Sequence, residues 1–415
     1  MIKFTNGLVL DKDLNTVKED VYIDGDTIVA VRNCDKDADE VYNLHGNLLM
    51  PSFKNAHTHS AMTFARSLAD DLPLQPWLYD MIFPMEAKLQ PQDIYDLSQL
   101  AFLEYLTSGI TACFDMYYFP EMMAKASVDF GFRTVMTGGL NDFKESVEKI
   151  EEYYNTFNSY HPLVSYKLGF HAEYTTSKNK IEAMGMLAQK YKTPVFTHSS
   201  ETKSEVEECK KRYGVSPTKL FYELGLFEYG GGGYHSVWVD DDDLDIYKEN
   251  GVWAIINAGS NSKLASGIAP VSKMLKKGIN LAVGTDGPSS NNALDMFREM
   301  YLIAATQKLK DNDASSTDAN EILKMATVGS AHCMGLNDCD AIEVGKKADL
   351  IEIDLARPNM QPINNITKNI VYSGSKENVK MTMINGKVLY KDGQFLTADK
   401  NEIYRKAQKI IDRIR

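Results

Sequence analysis

Leu48-Leu49-Met50-Pro51-Ser52-Phe53 leads through Lys54-Asn55-Ala56 into His57-Thr58-His59. A short apolar run ending on two histidines one residue apart reads as a strand, in which residues i and i+2 point to the same face. Two imidazoles on one face can take two corners of a single metal ion. The pair alone is a weak signal, and any one histidine is more often structural than a ligand. Single polar residues recur, however, at the ends of later strand-like segments: His171, His198, His235 and Asp286. The pattern points to a metal site assembled from several strands of one barrel.

Downstream of His59, strand-like segments alternate with longer helical patterns, which implies parallel β/α units. Residues 93–108 carry Ile94, Leu97, Ala101 and Tyr105 on one helical stripe, and Ile110-Thr111-Ala112-Cys113-Phe114 follows as a strand. Eight strands are expected, ending near His59, Asp115, Gly138, His171, His198, His235, Asn257 and Asp286. This spacing predicts a (β/α)8 barrel over residues 52–344, with its active site at the C-terminal strand ends. The sixth strand is the weakest of the eight, because Gly230-Gly231-Gly232-Gly233 precedes Tyr234-His235. Asp240 to Asp243 is expected to cap a helix or form a solvated face.

Upstream, Val21-Tyr22-Ile23, an Asp24-Gly25-Asp26 turn and Ile28-Val29-Ala30-Val31 form a hairpin pattern. The C-terminal stretch looks alike: Leu350 to Ile353 and Val371-Tyr372 precede Met381-Thr382-Met383-Ile384, Asn385-Gly386 and Lys387-Val388-Leu389-Tyr390. Neither end has strands enough for a sheet of its own. Residues 1–51 and 345–415, with a C-terminal helix, are therefore expected to build one small composite β-sandwich domain beside the barrel.

The composition narrows the function. Of 415 residues, 44% are apolar and 25% charged, enough for a large core in a soluble chain. The net charge of −12 argues against nucleic acid as a partner. Cys34, Cys113, Cys209, Cys333 and Cys339 are scattered, with no C-x-x-C, which favours a reducing cytoplasm over a disulfide framework. No apolar run reaches the roughly 18 residues of a membrane span, and no leader-like segment opens the chain. A small-molecule substrate, no membrane and a possible homo-oligomer are the resulting expectations.

His198 closes Pro194-Val195-Phe196-Thr197, and Glu201 follows three residues on. A metal ligand with a free carboxylate nearby suits hydrolysis, one group fixing the metal and the other moving protons. Asp286 ends the buried-type strand Leu281-Ala282-Val283-Gly284-Thr285, where an ionised carboxylate needs a strong partner such as a metal. His235 reads as a further ligand or as a hydrogen-bond partner of the hydrolytic water. His45, His161 and His332 fall on a turn, in a loop and in a helix, and are read as structural or surface residues.

Pro51-Ser52-Phe53-Lys54-Asn55-Ala56-His57-Thr58-His59 resembles the P-G-F-x-N-x-H-x-H signature of the amidohydrolase superfamily. Ser260 to Gly267 and Gly284 to Asn292 are similar to its branch of aromatic deaminases and chlorohydrolases. Ala69-Asp70-Asp71-Leu72-Pro73-Leu74, Trp77-Leu78 and Phe83-Pro84-Met85-Glu86 resemble the 5-methylthioadenosine/S-adenosylhomocysteine deaminases. The resemblance implies His57, His59, His198 and Asp286 as ligands of one divalent metal, usually Zn2+, with Fe2+ as the other candidate. It implies Glu201 as the proton shuttle facing the substrate ring, His235 beside the hydrolytic water and Asp286 as the base. Trp77 and Glu86 match residues that contact purine and ribose hydroxyls, and His171 one that contacts a ring nitrogen.

The chain departs from the family pattern at several places. Ser52 stands for a glycine, Lys54 for an apolar residue and Trp238 for a second histidine after the sixth strand. Gly138 and Gly139 stand where relatives that hold a homocysteine carboxylate present arginine, and Lys144 is the nearest basic residue downstream. The expected activity is hydrolytic deamination of an adenosine-type nucleoside. The alternatives are deamination of a free purine or pyrimidine base, a chlorohydrolase or cyclic-amide hydrolase on the same mononuclear site, and a non-catalytic homologue. Lys167 lies too deep in the fourth strand to bridge two metals. The unrelated zinc-deaminase architecture needs P-C-x-x-C, which is absent.

Overall fold

The computed structural model describes residues 1–32 and 37–415, so Cys34 lies outside the described residues. Its centre is eight parallel strands: Phe53–Thr58, Ile110–Met116, Arg133–Thr137, Val164–Ala172, Val195–Ser199, Gly231–His235, Val252–Ile256 and Asn280–Val283. Each pairs with the next in chain order, as β/α units wound in one sense require. Polar atoms close the ring. The Asp286 N–H donates to the His57 carbonyl across 3.0 Å. The Asn55 amide grips Thr285 twice, donating to its hydroxyl (2.7 Å) and accepting from its N–H (2.9 Å). The eight expected strands are all present, each ending within a few residues of its predicted position.

The glycine run does form the sixth strand, and packing explains its composition. A Cβ on Gly231 would stand 2.2 Å from the Val195 carbonyl, and one on Gly233 would stand 2.1 Å from the Tyr247 hydroxyl. Only a strand without side chains there fits between its neighbours. The helix expected over residues 93–108 spans Pro91–Thr107, with Ile94, Leu97, Ala101 and Tyr105 all buried. Asp240 caps Asp241–Glu249, accepting from the Asp243 N–H while Asp243 reaches back to the Asp240 N–H, so the acidic run is a capping box.

Segments from both chain ends share one sheet. Leu48–Pro51 pairs with Leu350–Ile353, which continues into Val379–Ile384 and Lys387–Lys391. A second sheet of Ile2–Thr5, Val21–Asp24, Thr27–Val31 and Glu40–Asn43 packs on it through Phe4, Ile23, Leu49, Leu350 and Met383. Val371-Tyr372 is a correction: it ends the helix Ile366–Tyr372, not a strand. Asn365 caps that helix, and Ile366, Ile370 and Val371 supply a buried stripe at helical spacing. The C-terminal helix Lys400–Ile414, expected with the small β unit, lies along the barrel helix Pro91–Thr107. Ala407, Ile410 and Ile414 join Ile94, Leu97 and Trp77 in one apolar cluster there. Among the described residues, no helix is long and apolar enough to cross a membrane.

Candidate active site

His57, His59, His198, His235 and Asp286 meet at the C-terminal mouth of the barrel, carried by the first, fifth, sixth and eighth strands. The donor atoms of His57, His198, His235 and Asp286 lie within 4.8 Å of one another. His59 stands against the same carboxylate, its Nε2 3.3 Å from Asp286 Oδ1, with the His57 Nε2 at 3.5 Å. His235, which the resemblance implies beside the hydrolytic water, thus stands among the donor atoms, and His59 approaches the shared carboxylate as closely as His57 does.

Hydrogen bonds fix how each ring faces. His59 Nδ1 lies 2.6 Å from the Met116 carbonyl, and His198 Nδ1 lies 2.7 Å from the His171 carbonyl. A carbonyl only accepts, so both Nδ1 atoms carry a proton and both Nε2 atoms face the centre. His235 Nδ1 pairs in the same way with the Asn261 amide oxygen at 2.7 Å. His57 stacks on Tyr234, and neither of its ring nitrogens has a hydrogen-bond partner, although the ring is fully buried. Burial, aided by the neighbouring His59, pushes its pKa down to about 3, so it is neutral.

Asp286 is arranged differently. Ser260 and Ser290 donate their hydroxyls to Oδ2 at 2.6 and 2.8 Å, and the Gly287 N–H donates to Oδ1 at 2.7 Å. Burial pushes the carboxyl up, but the surrounding histidines outweigh it and hold Asp286 well below the usual carboxylate range. Burial holds His57 and His198 neutral, while at His59 the pull of Asp286 outweighs burial and raises its pKa. Imidazoles gathered around one buried carboxylate fit a divalent cation. The donor set suits a mononuclear zinc site. Lys167 lies at the opposite end of the fourth strand, next to Gly335, and takes no part.

Glu201 is buried beside this group, with Oε2 3.8 Å from His235 Nε2 and Oε1 accepting from the Ser266 hydroxyl at 3.2 Å. Burial raises its carboxyl above the ordinary range, with His235 and Ser266 pulling against it. Its backbone is gripped by Glu205, whose carboxylate accepts from the N–H groups of Ser200 and Glu201 at 2.9 and 2.8 Å. Glu205 escaped the sequence reading, although Thr202-x-x-Glu205 is a capping-box spacing. Ser260, Ser290 and Asn261 were visible only as parts of motifs, with no role attached to them.

The expected substrate contacts line the same cavity. Trp77 packs in the apolar cluster yet leaves its indole N–H without a partner. Glu86 is buried, its Oε1 accepting from the Tyr117 hydroxyl at 2.6 Å. Burial pushes its carboxyl up, and the Tyr117 bond and the Lys144 charge pull against that. The Thr175 hydroxyl donates to the Ala172 carbonyl, so its oxygen accepts from His171 Nδ1 at 2.8 Å and the His171 Nε2 stays a free acceptor. Burial holds His171 neutral, its pKa down to about 3.

The model of the Amidohydrolase family matches residues 48–389. The chain is 39% identical to a 5-methylthioadenosine/S-adenosylhomocysteine deaminase of Caldanaerobacter subterraneus, over 99% of this chain and 97% of that one. It is 37% identical to a 5'-deoxyadenosine deaminase of Methanopyrus kandleri, over 91% and 89% respectively. Among solved structures, an adenosine deaminase from Xanthomonas campestris with bound zinc superposes with a TM-score of 0.95 at 31% identity, covering 100% of this chain and 98% of that one.

Proposed function

The chain belongs to the amidohydrolase family, and from that premise we propose that it is a zinc-dependent deaminase that hydrolyses the amino group from adenosine-type nucleosides. The observation that carries this reading is the placing of two buried carboxyls at one cavity: Asp286 against His57 and His59 at 3.5 and 3.3 Å, with its pKa lowered, and Glu201 with Oε2 3.8 Å from His235 Nε2, with its pKa raised. An acid and a base of separated pKa facing one cavity are what a hydrolysis that moves two protons needs.

We assign the metal to His57, His59, His198 and Asp286, with His235 at its edge and its Nε2 towards Glu201. A bound zinc ion supplies positive charge that can bring the pKa of water from 15.7 to about 7. Asp286 takes a proton from the attacking water as its oxygen bonds to the amino-bearing ring carbon. Glu201 gives its proton to the neighbouring ring nitrogen, so the ring accepts the electron pair without developing a full negative charge. Asp286 then returns its proton to the amino group, which departs as ammonia, and the proton of the new hydroxyl restores Glu201. His171 offers a free Nε2 acceptor, and Trp77 a free N–H donor, to the edges of the base. Glu86, with one oxygen held by Tyr117, receives the ribose hydroxyls. Cys113, Cys209, Cys333 and Cys339 are buried free thiols, in keeping with a cytoplasmic protein.

The test is ammonia release by the zinc-loaded enzyme on adenosine, 5'-methylthioadenosine, S-adenosylhomocysteine, adenine and cytosine. Turnover of the nucleosides well above the free bases is the expected result. Silence on all five with zinc bound would overturn the reading.

A further inference from the structure

Trp238 is 41% exposed, yet its indole N–H is tied down, donating to the Ser266 carbonyl at 2.6 Å. Its backbone N–H donates to the Ser200 carbonyl at 2.8 Å. Trp238, three residues beyond the end of the sixth strand, thus holds the loop after the fifth strand, which carries Glu201, and the loop after the seventh, which carries Ser266. Ser266 in turn is buried and donates its hydroxyl to Glu201 Oε1 at 3.2 Å. The approach is close enough to constrain the neighbouring residue. Gly267 sits at φ +128°, and a Cβ there would meet Val237 at 2.9 Å and the Trp238 indole nitrogen at 3.4 Å.

A carboxyl oxygen that accepts a hydroxyl proton at hydrogen-bond distance has no room to carry its own proton along the same line. With Ser266 on Oε1, an acid proton on Glu201 belongs on Oε2. That oxygen faces His235 Nε2 at 3.8 Å and so looks into the cavity. A Glu201 without the Ser266 bond could place its proton on either oxygen and rotate its carboxyl, and only part of the population would be ready to protonate a ring nitrogen.

We propose that Trp238 and Ser266 are positioning residues that set the transferable proton of Glu201 on Oε2, facing the substrate. This rests on Glu201 being the proton shuttle of the proposed deamination. Trp238 touches neither substrate nor metal donors in this scheme and acts through Ser266. Trp238→Phe keeps most of the ring and removes only the N–H.

The experiment compares Ser266→Ala, Ser266→Thr, Trp238→Phe and the double variant Trp238→Phe/Ser266→Ala, each zinc-loaded. Losing a hydrogen bond to a carboxylate is worth about tenfold or more in rate. Ser266→Ala is expected to lower kcat for adenosine about tenfold with KM and zinc content unchanged, and Ser266→Thr to recover most of it. Trp238→Phe is expected to lower kcat several-fold, and the double variant to fall no further than Ser266→Ala alone. Effects that multiply in the double variant, or a Trp238→Phe kcat within about twofold of the parent, would overturn the relay. Should the parent enzyme deaminate no nucleoside, the catalytic reading fails on its own account. Amide hydrogen exchange of residues 264–268 then decides the clamp separately: faster exchange in Trp238→Phe supports it, and unchanged exchange removes it.

Discussion

The Asp286 N–H donates to the His57 carbonyl across 3.0 Å, while the Asp286 carboxylate and the His57 imidazole face each other at 3.5 Å. One pair of residues therefore helps to close the barrel and brings two side chains of the candidate site together. The backbone bond leaves little freedom in how far apart the two side chains stand. Asp286 adopts φ +62°, a left-handed conformation costly for a residue with a side chain, and the cost is borne where the site needs the geometry.

Asp286→Asn keeps the shape but cannot accept the water's proton. It is expected to lower kcat for adenosine at least about 10³-fold, and Glu201→Gln about 10²–10⁴-fold with zinc still bound. Steady-state kinetics beside elemental analysis decides this. A zinc-replete Asp286→Asn enzyme with near-parental kcat would sink the scheme.

Glu86→Gln retains a polar group for Tyr117 but loses the charged acceptor for ribose hydroxyls. KM for adenosine is expected to rise about tenfold or more, while kcat/KM for adenine stays within about twofold. A variant equally impaired on nucleoside and base would show that Glu86 supports the cavity and does not read the sugar.

The two departures from the family signature at the foot of the barrel are partners. The fully buried Lys54 ammonium donates to Ser52 Oγ at 2.6 Å and Thr111 Oγ1 at 2.9 Å, with Asp349 at 4.0 Å. Ser52→Gly removes an acceptor from a buried charge and should destabilise by about 1–3 kcal/mol. Lys54→Met made in that background should return part of the loss, because no charge is then left short of acceptors. Denaturant unfolding of the single and double variants measures the coupling, and additive losses would deny it.

Asp349 accepts from Arg133 through Oδ2 at 2.8 Å and Oδ1 at 3.1 Å, joining a barrel strand to the start of the shared terminal sheet. Burial pushes its carboxyl up, but Arg133 and Lys54 outweigh burial and hold it below the usual range. A folded-state pKa below the unfolded one gives stability that is whole above about pH 4 and drains away as pH falls through the folded value. Asp349→Asn should cost about 3–5 kcal/mol at pH 7, since Arg133 stays buried without its counter-ion. Unfolding free energies at pH 7, 4 and 3 should fall less steeply in the variant than in the parent. Parallel curves would show that this carboxyl does not govern acid stability.

Chelation should leave a folded but less stable protein. Histidines brought around one carboxylate from separate strands can bind the ion only in the folded chain, so its removal lowers Tm, and restoring zinc at about 100-fold above Kd returns about 2.7 kcal/mol. Thermal scans with chelator and with added zinc test this. An unchanged Tm would mean that the donor group holds no ion.

The barrel was legible because its signals are local. Alternating strands, helical stripes and the Asp240 cap each lie within a few consecutive residues, as do the D-G and N-G turns of the terminal sheets, and the backbone obeys them. The gathering of His57, His59, His198, His235 and Asp286 was legible too, since the strand ends of a parallel barrel share one rim. Val371-Tyr372 was misread because two apolar residues fit either period, and the cap and spacing over Ile366–Tyr372 decided for a helix.

The sequence by itself therefore determined the architecture and which histidines gather with Asp286 and Glu201 at the barrel rim. Only the tertiary structure decided how those residues face. How each histidine ring is oriented, why the carboxyls of Glu201 and Asp286 shift in opposite directions, and where the charge of Lys54 is satisfied all depend on partners far away in the chain. Ser266 lies 65 residues from Glu201, and Asp349 lies 297 from Ser52. Local periodicity records which face a side chain takes, and it holds no information about the groups that another segment brings opposite that face.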